Sequence, residues 1–129
     1  MENEVREAYE RLVAAFREGR LDEKFACFAD DATVVDGGRW FRSLDEYRSG
    51  WDRWVAEQGG FEPPLSVETR ILELRTFGDV AVLTHSIDSR QRTDVGEEVE
   101  HEIETIVLGR QPDGRWPVVH QQIGPRPGA

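Results

Sequence analysis

From Leu65 onward the chain is cut by turn signals into four stretches of strand length. Gly78-Asp79, Thr93 to Gly96 and Pro112-Asp113-Gly114 separate residues 65–77, 80–92, 97–110 and 115–123. Such short connections permit antiparallel pairing of successive strands and leave no room for the crossover that a parallel pair needs. Helical patterning is confined to the residues before Leu65. Helices first and a long meander after define an α+β domain. A strongly bent antiparallel sheet wrapped around N-terminal helices is the expected architecture, and it leaves a cone-shaped cavity.

The first half supplies those helices. Val5, Ala8, Tyr9, Leu12 and Phe16 recur at three- and four-residue steps, which predicts an amphipathic helix over 2–18. Gly19 ends it as a left-handed cap. Asp22 begins a short second helix that turns Phe25 and Phe28 inward, and Asp30-Asp31 closes it. Residues 33–36 read as a strand, Gly37-Gly38 as a tight turn and residues 39–42 as the hairpin partner. Ser43-Leu44-Asp45-Glu46 is a capping box for a third helix reaching about Gln58. Its apolar stripe is Leu44, Tyr47, Trp51, Trp54 and Val55. Gly59-Gly60 stops it, and Pro63-Pro64 prevents its resumption. Residues 1–124 read as one domain, and residues 125–129 as a loose Pro/Gly tail.

Composition narrows the partners. With 129 residues the chain can bury roughly two thirds of its unfolded surface. A net charge of −10 argues against nucleic acid and anionic membranes, which require clustered Lys and Arg. No run approaches the ~20 apolar residues of a membrane span. The opening Met-Glu-Asn-Glu lacks the basic and apolar regions of a signal peptide, so the expected location is cytoplasmic. Cys27 is the single cysteine and excludes an internal disulfide. With nothing basic beside it, it reads as a structural thiol.

Four sets of residues could carry chemistry. Asp36 ends a strand where Trp40, Trp51 and Trp54 could lower the dielectric, so it reads either as a proton-shuttling carboxylate or as the start of an Asp-Gly turn. His85, His101 and His120 fall on three successive strands; His85 and His120 alternate with apolar neighbours and are candidate acid/base groups. Three converging histidines would suit a metal, but no metal and no cofactor is the expected state. Glu98, Glu100, Glu102 and Glu104 share one face, which reads as a solvated outer face, with Glu104 the member able to enter a pocket. Asp88, Arg90 and Arg92 share a face and read as a surface ion-pair set. The stripe of Tyr47, Trp51 and Trp54, with Tyr9 and Phe16 from the first helix and Trp40, suits a flat or cyclic apolar ligand.

Two motifs carry a family resemblance. Phe28-Ala29-Asp30-Asp31-Ala32-Thr33-Val34-Val35-Asp36 resembles the helix-end, acidic-turn and strand wording of the nuclear-transport-factor-2-like superfamily, in its SnoaL-like and ketosteroid-isomerase-like branch. Glu104 to Arg110, followed by Asp113-Gly114-Arg115-Trp116-Pro117-Val118-Val119-His120, is similar to the ending shared by SnoaL-like proteins and the association domain of calmodulin-dependent kinase II. The resemblance spans essentially the whole chain. It implies a cystatin-like roll and a homodimer formed through the outer sheet face, where Ile71, Val82, Val107 and Val119 supply apolar surface. It also places a general base at Asp36. The two enolate-binding donors of ketosteroid isomerases fall on Leu12 and Ile106, which cannot donate; Tyr9 lies one helical turn from the first, and Ile106 points inward. Losing one such donor typically costs ~3 kcal/mol, so steroid isomerisation is not expected. Three functions follow as expectations. The first is a cofactor-free isomerase or polyketide-type cyclase acting on an apolar oxygenated small molecule. The second is a non-catalytic ligand-binding or dimerisation module, and the third an epoxide hydrolase or dehydratase.

Overall fold

The computed structural model describes residues 1–127. Its elements are α1 (Glu2–Arg17), α2 (Leu21–Ala26), β1 (Phe28–Asp36), β2 (Arg39–Phe41), α3 (Leu44–Glu57), β3 (Ser66–Phe77), β4 (Val80–Thr93), β5 (Gly96–Gly109) and β6 (Val118–Pro125). The sheet has six strands in the order β2-β1-β6-β5-β4-β3 and curves without closing. Strands β3 to β6 form the expected meander. The sheet is mixed rather than wholly antiparallel, because β1 lies parallel to β6. The long stretch between β1 and β6 in the chain makes that pairing possible.

The helices follow their sequence signals closely. α1 buries Val5, Ala8, Tyr9, Leu12, Val13 and Ala15. At its end the Gly19 amide donates to Phe16 O and the Arg20 amide to Ala15 O, the double bond of a Schellman motif. Gly19 has φ +72°, and an added Cβ would lie 2.9 Å from Pro63 Cγ, so both backbone and packing require glycine there. Ser43 caps α3 by accepting from the Glu46 amide at 3.1 Å. Glu46 returns the bond to the Arg42 amide at 2.8 Å, one residue earlier than in the standard box.

Two stretches depart from the sequence expectation. Asp30 and Asp31 do not close a helix; they lie exposed within β1, which starts at Phe28. β6 starts only at Val118, and Trp116 is buried before it. The strand then continues through Pro125, paired with Glu102, and the Arg126 amide donates to His101 O at 2.8 Å. The chain is therefore held past Gly124, while Gly128 and Ala129 of the expected tail lie outside the described residues.

Two bulges set which residues face inward. Between Ile71 and Glu73 the register on β4 slips by one, and Leu72 is the extra residue. Between Val107 and Leu108 the partners step from His120 to Val118, making Val119 the extra residue of β6. Each bulge reverses the inside-outside alternation beyond it and sharpens the local bend. Inside the curve lie Ala81, Leu83, Ile106, Leu108 and Val118, packed against α1 and α2. Ile71 also joins this core rather than the outer face, since it pairs with buried His85.

Candidate active site

A cavity of about 390 Å³ opens between the inner sheet face, α1 and α3. That volume falls in the ordinary range for small-molecule sites, roughly 300–1,000 Å³. Leu12, Val13 and Phe16 enter from α1, and Tyr47, Trp51 and Trp54 from α3. The rings pack edge to face: Trp51 lies 5.5 Å from Trp54 and 6.4 Å from Phe16, and Tyr47 lies 5.3 Å from Phe41. Trp54 stays more than a third exposed and so lies where the cavity meets solvent.

The acidic face of β5 turns inward. Glu100, Glu102 and Glu104 all line the cavity, which corrects the expectation of a solvated outer face. Alternation left two parities open for this strand, and pairing with β4 decides between them. Ile106 lies opposite Leu83 in the core, so Glu104 must lie opposite His85 on the same side. The odd-numbered set, with His101, faces out. There His101 Nδ1 lies 2.6 Å from Asp88, which also accepts from Arg126 at 2.7 Å. Arg90 pairs with Glu97 on the surface rather than with Asp88.

His85 and Glu104 form a closed polar relay. Tyr9 Oη lies 2.8 Å from His85 Nδ1, and His85 Nε2 lies 2.8 Å from Glu104 Oε1. All three side chains are buried. With Glu104 ionised, a neutral imidazole protonated on Nε2 donates to the carboxylate and accepts from the tyrosine hydroxyl. Tyr9 is thus committed to His85. It lines not this cavity but a second one of about 550 Å³, bounded by α1, α2 and the Trp116–Val118 segment. Ile106 also faces that second space.

Asp36 enters the cavity from the end of β1. Its cross-strand partner Arg39 lines the cavity too. Burial raises the pKa of the Asp36 carboxyl above its ordinary value; the Lys24 ammonium pulls it back, and Glu104 adds to the rise. Glu102 is shifted further, up to about 7, by burial and then by Glu100, Asp36 and Glu104. Burial also holds the Tyr47 phenol well above its usual titration range, so it stays neutral.

Lys24 is the residue that sequence reasoning missed. It lies 6% exposed on α2, with Nζ 3.8 Å from the Trp51 ring centroid and the rings of Phe16, Phe25 and Tyr47 within 5.5 Å. Among the described residues no side chain accepts a hydrogen bond from it. Burial lowers its pKa to about 8, against the pull of Glu104, Asp36 and Glu102. A signal was present. It is the only lysine of the chain, the other fifteen basic residues being arginine, and it directly precedes inward-facing Phe25.

Besides Tyr9 and Ile106, two more expected site residues lie outside this cavity. Trp40 alternates out of the cavity between Arg39 and Phe41 and is 60% exposed. His120 sits beyond the Val119 bulge, on the outer face, with Nδ1 2.7 Å from Thr33 Oγ1. Its place inside is taken by Gln121 and Ile123. The three histidines therefore do not converge. Of the remaining candidates, Phe16, Asp36, Tyr47, Trp51, Trp54, His85 and Glu104 do meet in one cavity.

Residues 5–125 match the model of the SnoaL-like domain, and the chain belongs to that family. Solved structures agree on the fold. A ketosteroid isomerase-like protein from Erwinia carotovora atroseptica SCRI1043 superposes with a TM-score of 0.77 at 18% identity, covering 93% of this chain and 92% of the other. An NTF2-like protein of unknown function in nutrient uptake from Rhodospirillum rubrum gives 0.77 at 19%, covering 95% and 98%. The association domain of C. elegans CaMKII gives 0.71 at 16%, covering 95% and 94%. No curated protein matches the chain. No helix among the described residues is long and apolar enough to cross a membrane.

Proposed function

We propose that this SnoaL-like chain is a cofactor-free acid/base enzyme of isomerase or cyclase type, acting on a small, apolar, oxygenated molecule. The observation that carries the proposal is Asp36, a partly buried carboxylate in an aromatic cavity of about 390 Å³. A base in such a site accepts a proton more readily than a solvated carboxylate, and apolar walls keep water from competing. Glu102, poised near neutrality, is the matching proton donor. His85 serves as a positioning residue that holds Glu104 against the cavity wall. Steroid isomerisation does not suit this site, because Leu12 presents no donor and Ile106 faces the second cavity.

The test is the conversion of a small β,γ-unsaturated cyclic ketone to its conjugated isomer, followed by absorbance. Asp36→Asn should keep the fold and ligand binding and lose turnover. Full turnover in that variant would sink the proposal.

A second reading, a ligand-binding or homodimerising module, has its own support. Val99 and Ile103 lie exposed on the outer sheet face, flanked by half-buried Val82 and Val107. The structural likeness to an association domain fits a dimer through that face. Val107→Glu should then halve the mass measured by light scattering. An unchanged mass would remove this face as the interface.

A further inference from the structure

The Lys24 side chain meets the geometric needs of an amine nucleophile, and this inference rests on the cavity being a site for oxygenated small molecules. We propose that Lys24 forms a covalent imine with a ketone or aldehyde bound in the cavity, and that Asp36 acts on the imine rather than on the free carbonyl compound.

Two observations converge. Lys24 lines the cavity with its side chain buried, and its Nζ sits against the Trp51 face with no hydrogen-bond acceptor holding it among the described residues. Both carboxyl groups that the reaction needs, Asp36 and Glu102, line the same cavity and act electrostatically on Lys24. An iminium nitrogen accepts the electron pair released from the adjacent carbon more readily than a neutral carbonyl oxygen does, so an imine makes that proton easier for Asp36 to remove.

The steps balance without any redox partner. The neutral amine attacks the carbonyl carbon, a C–N bond forms, and the carbonyl π pair moves to oxygen. That oxygen leaves as water, taking one proton from the amine and one from Glu102. The nitrogen lone pair closes the C=N bond and leaves a protonated imine. Asp36 then removes a proton from the adjacent carbon, and the electrons pass to nitrogen as a neutral enamine. Reprotonation at a different carbon and hydrolysis return Lys24. The lowered affinity of Lys24 for its proton leaves a useful fraction of free amine near neutral pH.

Because Lys24 is the only lysine, its reactivity can be read without ambiguity. The folded protein is incubated with cyclohexanone and sodium cyanoborohydride, which delivers hydride to the iminium carbon. Intact-mass and peptide mass spectrometry then separate Lys24 from the N-terminal amine. Lys24 should acquire one cyclohexyl group faster in the folded protein than in the urea-unfolded chain, and the rate should rise with an inflection near pH 8. Lys24→Arg, which keeps the cation and cannot form an imine, should still quench its tryptophan fluorescence on binding the ketone while losing isomerisation of the β,γ-unsaturated ketone. Labelling of Lys24 no faster than in the unfolded chain, or full isomerisation by Lys24→Arg, overturns the inference. If the ketone still quenches fluorescence and Asp36→Asn still abolishes turnover in that event, acid/base catalysis by Asp36 stands alone. If the ketone does not bind, both fall.

Discussion

Two groups of inward-facing ionisable side chains share this molecule, and they are treated in opposite ways. In the relay of Tyr9, His85 and Glu104 each named atom meets a partner at 2.8 Å. In the set of Lys24, Asp36 and Glu102 no mutual hydrogen bond forms; the groups act on one another only through charge across an open space. A satisfied buried network fixes a fold, since its energy is lost if any member moves. A set held apart across a cavity keeps its polar atoms open to whatever enters, which is the condition expected of groups that work on a ligand. Burial alone therefore does not mark a site. Ionisable groups left open to a cavity do.

The sharpest way to break this contrast is Asp36→Asn. Turnover of the cyclic ketone should fall by ~10²–10⁴ with little change in melting temperature, as for loss of a general base. A stability loss without a rate loss would move Asp36 into the structural group. Tyr9→Phe should show the reverse pattern. It leaves His85 Nδ1 without its partner and should lower stability by ~1–3 kcal/mol in denaturant unfolding, with ketone binding nearly unchanged.

The pH dependence of stability sharpens the contrast further. Glu102 titrates near 7 in the folded chain against an ordinary 4.5, so its contribution is complete below 4.5 and lost as pH rises through 7. Asp36 and Glu100 act in the same direction. Lys24 titrates near 8 against 10.5, so its contribution is present above 10.5 and lost as pH falls through 8. The melting temperature should therefore pass through a minimum between about pH 7 and 8. Glu102→Gln should flatten the acidic limb, and Lys24→Met the basic one. A maximum in that window would contradict the burial of these groups. The smallest expected effect is His120→Ala, on the outer face. It should change stability by less than ~1 kcal/mol and leave ketone turnover unaltered.

The helices and the meander were legible because their signals are local. The α1 stripe, the Gly19 cap, the Ser43 cap and the turns at Gly78, Gly96 and Gly114 each state their structure within a few residues. Asp36 and the aromatic lining were legible for the same reason, helped by family resemblance. What failed was parity across strands. Whether Glu102 or His101 faces inward depends on which residue of β4 each one opposes, and a single bulge reverses the answer for everything beyond it. His120 shares a face with Trp116 and Val118 by simple alternation, and Val119 undoes that count. Lys24 was overlooked for a different reason. On a helix of six residues a lysine beside Asp22 and Glu23 looks like part of a solvated surface, and only the position of α3 above it makes it buried.

The extra residue in β6 has a consequence for how such a cavity can change over time. Were the bulge smoothed with its residue kept, so that Val119 took the place opposite Val107, His120 and Gln122 would turn inward and Gln121 and Ile123 would go to the outer face. A whole wall would exchange its chemistry, amide and alkyl for imidazole and amide, without a single substitution among the lining residues. Families built on this sheet can thus sample new active-site compositions by gaining or losing a bulge, a step that comparisons of aligned positions would not record as a substitution.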